Sequence, residues 1–346
     1  MIARKSTGSP APAPGKTRTR RVRAAALALA ASALTLLPAT AATAATSRAA
    51  TANPSGLAWL SGAYTDAGTP AAAASFGTWR GRPLDVVDVW SARATWADIT
   101  SPTWLYQEYE GTPYTLALGV AMLPEGVSGV SLAACANGSY NSYWAKFGSV
   151  ISSYKLGSSI IRLGWEFNGD WYAWSAYNPA TYAACWRNVV TAAHGTAPGL
   201  RFDWNVNRGV SAGLADPTKA YPGDAYVSMI GVDSYDDWPA ATTAAGWQTQ
   251  LNGTQGLNYW LAFAKAHGKK LSVPEWGNIT ATSSDGDSGA GGDDPAYVQD
   301  MKSFFTANAA SIAFEANFQG DSSSTGGVYG SGTAIPRASA AYKAAF

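Results

Sequence analysis

The sequence is poor in the side chains that hold metals and carry thiol chemistry. It has two cysteines and two histidines in 346 residues. The cysteines form no C-x-x-C pair and the histidines do not cluster, which excludes zinc-finger and iron–sulfur schemes; no metal and no cofactor is expected. Charge is sparse as well, at 14% Asp, Glu, Lys and Arg. Beyond residue 46 no apolar run approaches the ~20 residues needed to span a bilayer, so no membrane partner is expected. No Gly-rich phosphate turn follows the first candidate strand, where the chain reads Gly62-Ala63-Tyr64, and this argues against a doubly wound nucleotide-binding sheet.

Residues 1–46 read as a secretory signal peptide. Arg4, Lys5, Lys16, Arg18, Arg20, Arg21 and Arg23 form a basic head, followed by the apolar stretch Ala24–Leu37 and small-x-small cleavage options at Ala39–Ala41 and Ala42–Ala44. A secreted, extracellular location is therefore expected. The whole chain carries 24 Lys+Arg against 23 Asp+Glu. Seven of the bases and none of the acids leave with the leader, so 17 stand against 23, a net charge of −6. An acidic exported protein is a poor match for phosphate backbones, and no nucleic-acid partner is expected. Export also favours a disulfide between Cys135 and Cys185, closing a loop of about 50 residues.

What the sequence does have is apolar and aromatic mass: 47% hydrophobic residues, with 15 Trp, 17 Tyr and 10 Phe. That is too much for a disordered chain and ample for a large core. Residues 47–56 read as a flexible lead-in and 57–346 as one domain without an appended module, expected as a monomer. Strands are predicted at Leu57–Leu60, Val86–Trp90, Thr115–Ala121, Ile160–Glu166, Arg201–Asn207, Met229–Tyr235, Leu271–Glu275 and Ile312–Phe318. Helical stretches at Tyr140–Tyr154, Pro179–His194, Leu257–His267, Pro295–Asn308 and Arg337–Phe346 lie among them, with Pro near starts and Gly past ends. Eight strands alternating with helices predict a single (β/α)8 TIM barrel.

In such a barrel chemistry sits where strands end. Glu166 closes the fourth predicted strand and Glu275 the seventh, with Pro274 before it fitting a strand end. Alternation places Arg162, Gly164 and Glu166 on one face, and Leu271, Val273 and Glu275 on one face. Two carboxylates flanking one bond are what glycoside cleavage requires. Trp165, Trp171, Trp174 and Trp276 crowd the same ends, with Asn168 and Asn207 as polar partners, a composition suited to a sugar cleft. A non-catalytic glycan-binding barrel would use the same aromatics but needs neither glutamate. An inverting hydrolase would hold its carboxylates ~6.5–9.5 Å apart.

The stretch Arg162-x-x-x-Glu166-x-Asn168-Gly169-x-Trp171-x-x-Trp174 resembles the acid/base segment of glycoside hydrolase family 26, best known for β-mannanases. Asp233-Ser234-Tyr235-Asp236 resembles that family's segment on the sixth strand, Pro274-Glu275-Trp276-Gly277 its nucleophile segment, and Gly291-Gly292-Asp293-Asp294-Pro295-x-Tyr297 its seventh loop. The resemblance implies Glu166 as acid/base, Glu275 as nucleophile, Tyr235 as a donor to the nucleophile and Arg162 as an orienting cation. It implies a retaining, endo-acting hydrolase of a β-linked polysaccharide. Two positions depart from the pattern: Trp165 stands where the family places His, and the eighth strand reads Phe314-Glu315-Ala316-Asn317-Phe318 without the family's Trp. Other β-glucans, β-xylans and microbial exopolysaccharides therefore stay open as substrates.

The remaining acids and histidines have plainer expectations. Asp233 and Asp236 are expected to hold the sixth loop, Asp203 to be structural, and Glu315 to partner an inward Arg such as Arg201. Asp85 and Asp88 are expected at a solvated edge or in an ion pair. His194 and His267 fall at helix C-termini, where a cation is favoured. The run Asp285–Asp294 could bind calcium, but it lacks a regular ligand spacing and is expected to be a mobile loop at the cleft rim.

Overall fold

Parallel pairing organises the chain. The computed structural model describes residues 52–280, 289–320, 325–330 and 332–346; residues 1–46, expected as a signal peptide, and residues 285–288 of the acidic run lie outside the described residues. The strands are β1 (Leu60–Tyr64), β2 (Val86–Trp90), β3 (Thr115–Val120), β4 (Ile160–Leu163), β5 (Arg201–Asn207), β6 (Met229–Asp236), β7 (Lys270–Ile279) and β8 (Ile312–Phe318). Each pairs in parallel with the next, β8 returns to β1, and β6 joins β7, so the sheet closes into a barrel. A two-residue strand β9 (Thr325–Gly326) adds antiparallel to the end of β7.

Helices α1 (Pro70–Arg80), α2 (Trp96–Thr100), α3 (Thr103–Tyr109), α4 (Leu132–Ala136), α5 (Asn141–Ser153), α6 (Pro179–His194), α7 (Ala244–Asn252), α8 (Leu257–Ala266), α9 (Pro295–Ala307) and α10 (Pro336–Ala345) connect and follow the strands. The (β/α)8 expectation holds. Three of these helices start the same way. Thr69, Asn178 and Asp294 each accept a backbone N–H of the first turn, and Pro70, Pro179 and Pro295 follow, where no intrahelical N–H bond is lost.

Two apolar layers result. Val86, Ala117, Ile160, Met229, Phe314 and Ala316 fill the lower half of the barrel. A larger cluster between sheet and helices includes Trp186, Trp204, Trp260, Leu271, Val273, Trp276 and Phe305. Cys135 of α4 and Cys185 of α6 are joined by a disulfide, with Cα atoms 4.9 Å apart.

Several boundaries depart from expectation, each for a local reason. The first strand lies at Leu60–Tyr64 rather than Leu57–Leu60. Its small residues are weak strand formers, but Gly62 lets the backbone close on β2, where a Cβ would meet the Val86 carbonyl oxygen at 2.3 Å. Residues 52–56 form a turn in which Ser55 is buried and donates its N–H to Asp85. Asp85 also accepts the N–H of Ser61, so it is no solvated edge. Strand β4 stops at Leu163, because Gly164 and Glu166 take left-handed backbone angles, φ 51° and 50°.

Pro274 does not end β7; it sits in a bulge. The β7–β8 register shifts between Val273 and Trp276, and the β6–β7 register between Gly231 and Ser234. Proline fits such a point because the ladder needs no N–H there. Before the bulge Leu271 and Val273 face the helices while Ser272 faces inward, bonded to Asp203. Unbroken alternation would send Glu275 outward with Leu271 and Val273. The bulge shifts the phase by one residue, so Glu275 turns in and Trp276 turns out.

Candidate active site

The upper half of the barrel interior is polar. Arg162 of β4 is fully buried there and its guanidinium reaches side chains of four other strands. It donates to Asp88 of β2 at 2.6 Å, to Asn205 of β5 at 2.7 and 3.0 Å, to Asp233 of β6 at 3.0 Å and to Glu275 of β7 at 2.5 Å. The Trp90 ring lies over it, 5.2 Å from the centroid. Burial alone would lower its pKa, but Asp88, Asp233 and Glu275 outweigh burial and hold the charge on. Asp88 and Asp233 are pushed well above the usual carboxylate range, first by burial and then by the neighbouring Glu275, against the pull of Arg162.

Glu275 is 7% exposed, with its open side toward the mouth. One carboxylate oxygen accepts from Arg162, and the other accepts the Tyr235 hydroxyl at 2.6 Å. Tyr235 stays a neutral donor, its pKa raised by burial and by Glu275. Glu166 lies in the loop after β4, not in the strand. Its N–H bonds the Asn205 carbonyl, which fixes the loop on β5. Its carboxyl is pushed up to about 8, by burial first and then by the charge of Glu275, while Arg162 and a bond from the Trp171 side chain pull the other way. The charge of Glu275 thus acts on Glu166, and the two differ in their donors: Glu275 has a cation and a hydroxyl, Glu166 an indole.

A cleft of about 190 Å³ opens above Glu275, walled by Tyr64, Trp90, Arg93, Trp165, Tyr172 and Phe318. The rings brace each other: Tyr64 meets Trp90 at 4.7 Å and Phe318 at 4.8 Å, and Trp165 meets Tyr172 at 5.1 Å with its indole N–H on the Tyr172 hydroxyl. Arg93 pairs with Glu125 and lies over Tyr172. Sequence reasoning passed over Tyr64, Trp90, Arg93, Tyr172 and Phe318. The available signal was positional, since Tyr64, Trp90 and Phe318 are the last residues of β1, β2 and β8.

Among the sequence candidates, Arg162, Trp165, Glu166, Tyr235 and Glu275 come together at this mouth. Trp171 is 49% exposed beside Glu166. Asn207 ends β5 at the same face, half-buried. Three others are corrected. Trp276 is fully buried against Phe305, Tyr342 and Phe346 outside the barrel, with its N–H on Glu315. Burying such a ring removes on the order of 200 Å² from water, ~5 kcal/mol gross, which outweighs the ~1 kcal/mol a sugar contact would offer. Trp174 is fully buried, stacked on Tyr172 at 4.4 Å, and bonds the Trp165 carbonyl. Asn168 is fully buried and clips two loops, exchanging bonds with the Asn207 backbone and reaching Ser211.

The acids sort similarly. Asp88 is in an ion pair, one of its two expected settings, with Arg162 as its partner, and Asp233 is a second inner partner of Arg162 rather than a loop brace. Asp236 does brace the sixth loop, accepting from Ala241. Glu315 lies outside the barrel near Arg80 and bonds Trp276, while Arg201 bonds the Ser158 carbonyl instead. Among the described residues no group of His, Cys, Asp and Glu is placed to hold a metal ion.

Comparison with known proteins agrees with the geometry. The family model for glycosyl hydrolase family 26 matches residues 158–275, the span from β4 to Glu275. That span holds the acid/base and sixth-strand segments on which the sequence resemblance rests, and it ends at Glu275. A modular endo-β-1,4-mannanase from Cellulomonas fimi is 17% identical with TM-score 0.61, over 83% of this chain and 70% of that one. A family 26 β-mannanase from Bacteroides ovatus is 12% identical with TM-score 0.55, over 82% of this chain and 88% of that one. The catalytic domain of a family 26 endo-β-1,4-mannanase from Bacillus sp. JAMB-750 is 17% identical with TM-score 0.52, over 77% and 78%. At these identities the likeness establishes the fold. No curated protein sequence matches the chain.

Proposed function

From the match of residues 158–275 to glycosyl hydrolase family 26, we propose that this chain is a secreted, retaining endo-β-glycanase of the β-mannanase type. The carrying observation is the unequal pair at the mouth: Glu275 held between Arg162 and Tyr235, and Glu166 with its carboxyl pushed up to about 8. Environments that drive two carboxyls apart divide the labour between them.

In the first step a Glu275 oxygen forms a bond to the anomeric carbon as the glycosidic C–O bond breaks, and the Glu166 proton passes to the leaving oxygen. In the second, water attacks the same carbon, Glu166 takes its proton, and the Glu275–sugar bond breaks to restore the carboxylate. Arg162 and Tyr235 hold and aim Glu275; Trp165 and the cleft rings exclude water; Trp171 gives the leaving sugar a flat face. A non-catalytic glycan-binding barrel would have no use for a carboxyl kept protonated beside a carboxylate.

The test is reducing-sugar release by the mature protein from β-mannan, mixed-linkage β-glucan, β-xylan and bacterial exopolysaccharides. Release from β-mannan is expected. Binding without release from any of the four would overturn the hydrolase reading.

A further inference from the structure

The loop after β6 carries an exposed tryptophan in an unusual setting. Trp238 is 68% exposed and has a left-handed backbone, φ 42°, which a bulky residue rarely adopts. The segment beneath it is nailed down on both sides. Arg208 donates to the Ser234 hydroxyl at 3.0 Å, to the Tyr235 carbonyl at 3.0 Å and to the Asp237 carbonyl at 2.8 Å. On the far side Gln250 donates to the Pro239 carbonyl at 2.8 Å, and the N–H of Ala241 bonds Asp236 at 2.7 Å. An indole left in water while its backbone is held strained and fixed is a costly arrangement if it serves nothing.

Its position is informative. Tyr235, three residues earlier, touches Glu275, and Asp237, the adjacent residue, lies near enough to Glu166 for its charge to act there. Trp238 thus directly follows the residues that border Glu275 and Glu166. Whatever group protonates a leaving oxygen has the leaving sugars on its own side.

We infer that Trp238 is a second aromatic platform for the leaving half of the polysaccharide, beyond Trp171, and that it makes the enzyme favour long chains over short ones. The inference rests on the hydrolase reading above. A sugar face on a fixed indole is worth up to ~1.4 kcal/mol, about tenfold, and the fixed backbone means little ordering cost on binding.

The experiment compares wild type, Trp238→Ala and Trp238→Phe on β-1,4-mannohexaose and on an aryl β-mannobioside, whose leaving group has no sugar to reach Trp238. The ratio of kcat/KM for the hexaose to that for the aryl substrate should fall about tenfold in Trp238→Ala and recover most of the way in Trp238→Phe. A ratio unchanged within twofold in Trp238→Ala overturns the inference while leaving the hydrolase reading standing. If wild type cleaves neither substrate, the β-mannan specificity fails instead, and calorimetric titration with the hexaose decides: binding about tenfold weaker in Trp238→Ala supports the platform, and equal or absent binding overturns it.

Discussion

Glu166 and Glu275 are the same chemical group in two settings, and the difference follows from their donors. Glu275 faces a guanidinium and a phenol; Glu166 loses water, faces a second carboxylate and has only an indole in compensation. Its proton should therefore persist to about pH 8, and the alkaline limb of kcat/KM should turn there. The same shift has a stability consequence. A carboxyl near 4.5 when unfolded and near 8 when folded costs nothing below the first value, increasingly more between them, and its full penalty above the second. Glu166→Gln removes that penalty. Its Tm advantage over wild type should widen from pH 4.5 to 8 in thermal unfolding scans, and a constant difference across that window would refute the shift.

At the scale of elements, glycine and proline place the site. A Cβ on Gly119 of β3 would lie 2.2–2.4 Å from the Trp90 ring, so only glycine lets that ring lie flat over β3 and against Arg162. Gly119→Ala must push the indole into the cleft. A loss of 1–3 kcal/mol in denaturant unfolding is expected from overpacking, together with a drop of tenfold or more in kcat/KM; wild-type kinetics would show that the ring has no part in shaping the cleft. The bulge at Pro274 shows where pattern reading failed and still arrived. The residues Leu271, Ser272 and Val273 alternate as a strand should, and the alternation predicts one shared face for Leu271, Val273 and Glu275. The face is not shared, because the inserted residue is an event of pairing with β6 and β8 and leaves no periodic trace. Trp276 follows alternation: as the residue after an inward Glu275 it faces outward, into the helix layer. Glu166 reached the mouth by two left-handed residues rather than by strand extension.

At the scale of the molecule, the barrel was legible because three of its features are local: β-branched and aromatic runs, helix starts marked by Pro and ends marked by Gly. Strands β2, β5 and β8 and helix α6 fall where the pattern put them. The inner polar layer was not legible. Asp88, Asn205 and Asp233 come from three strands, and only closure brings them onto Arg162. The disulfide spans 50 residues, tying the helix layer before β4 to the one after it. Chain entropy gives such a loop about 4 kcal/mol. The Cys135→Ser, Cys185→Ser double variant should lose about that much in urea unfolding with little change in kcat, since neither residue borders the cleft; an unmoved midpoint would show that helix packing alone closes this side.

The most direct measurement addresses Glu275. In Glu275→Ala the cavity left beside Arg162 and Tyr235 should admit azide, with Glu166 still poised to protonate the leaving group. Turnover of an aryl β-mannobioside should fall by several orders of magnitude, as expected when a nucleophile is removed, and azide should restore it with a glycosyl azide of inverted anomeric configuration as product. Retention of wild-type turnover in Glu275→Ala, or azide rescue in Glu166→Ala but not in Glu275→Ala, would contradict the account.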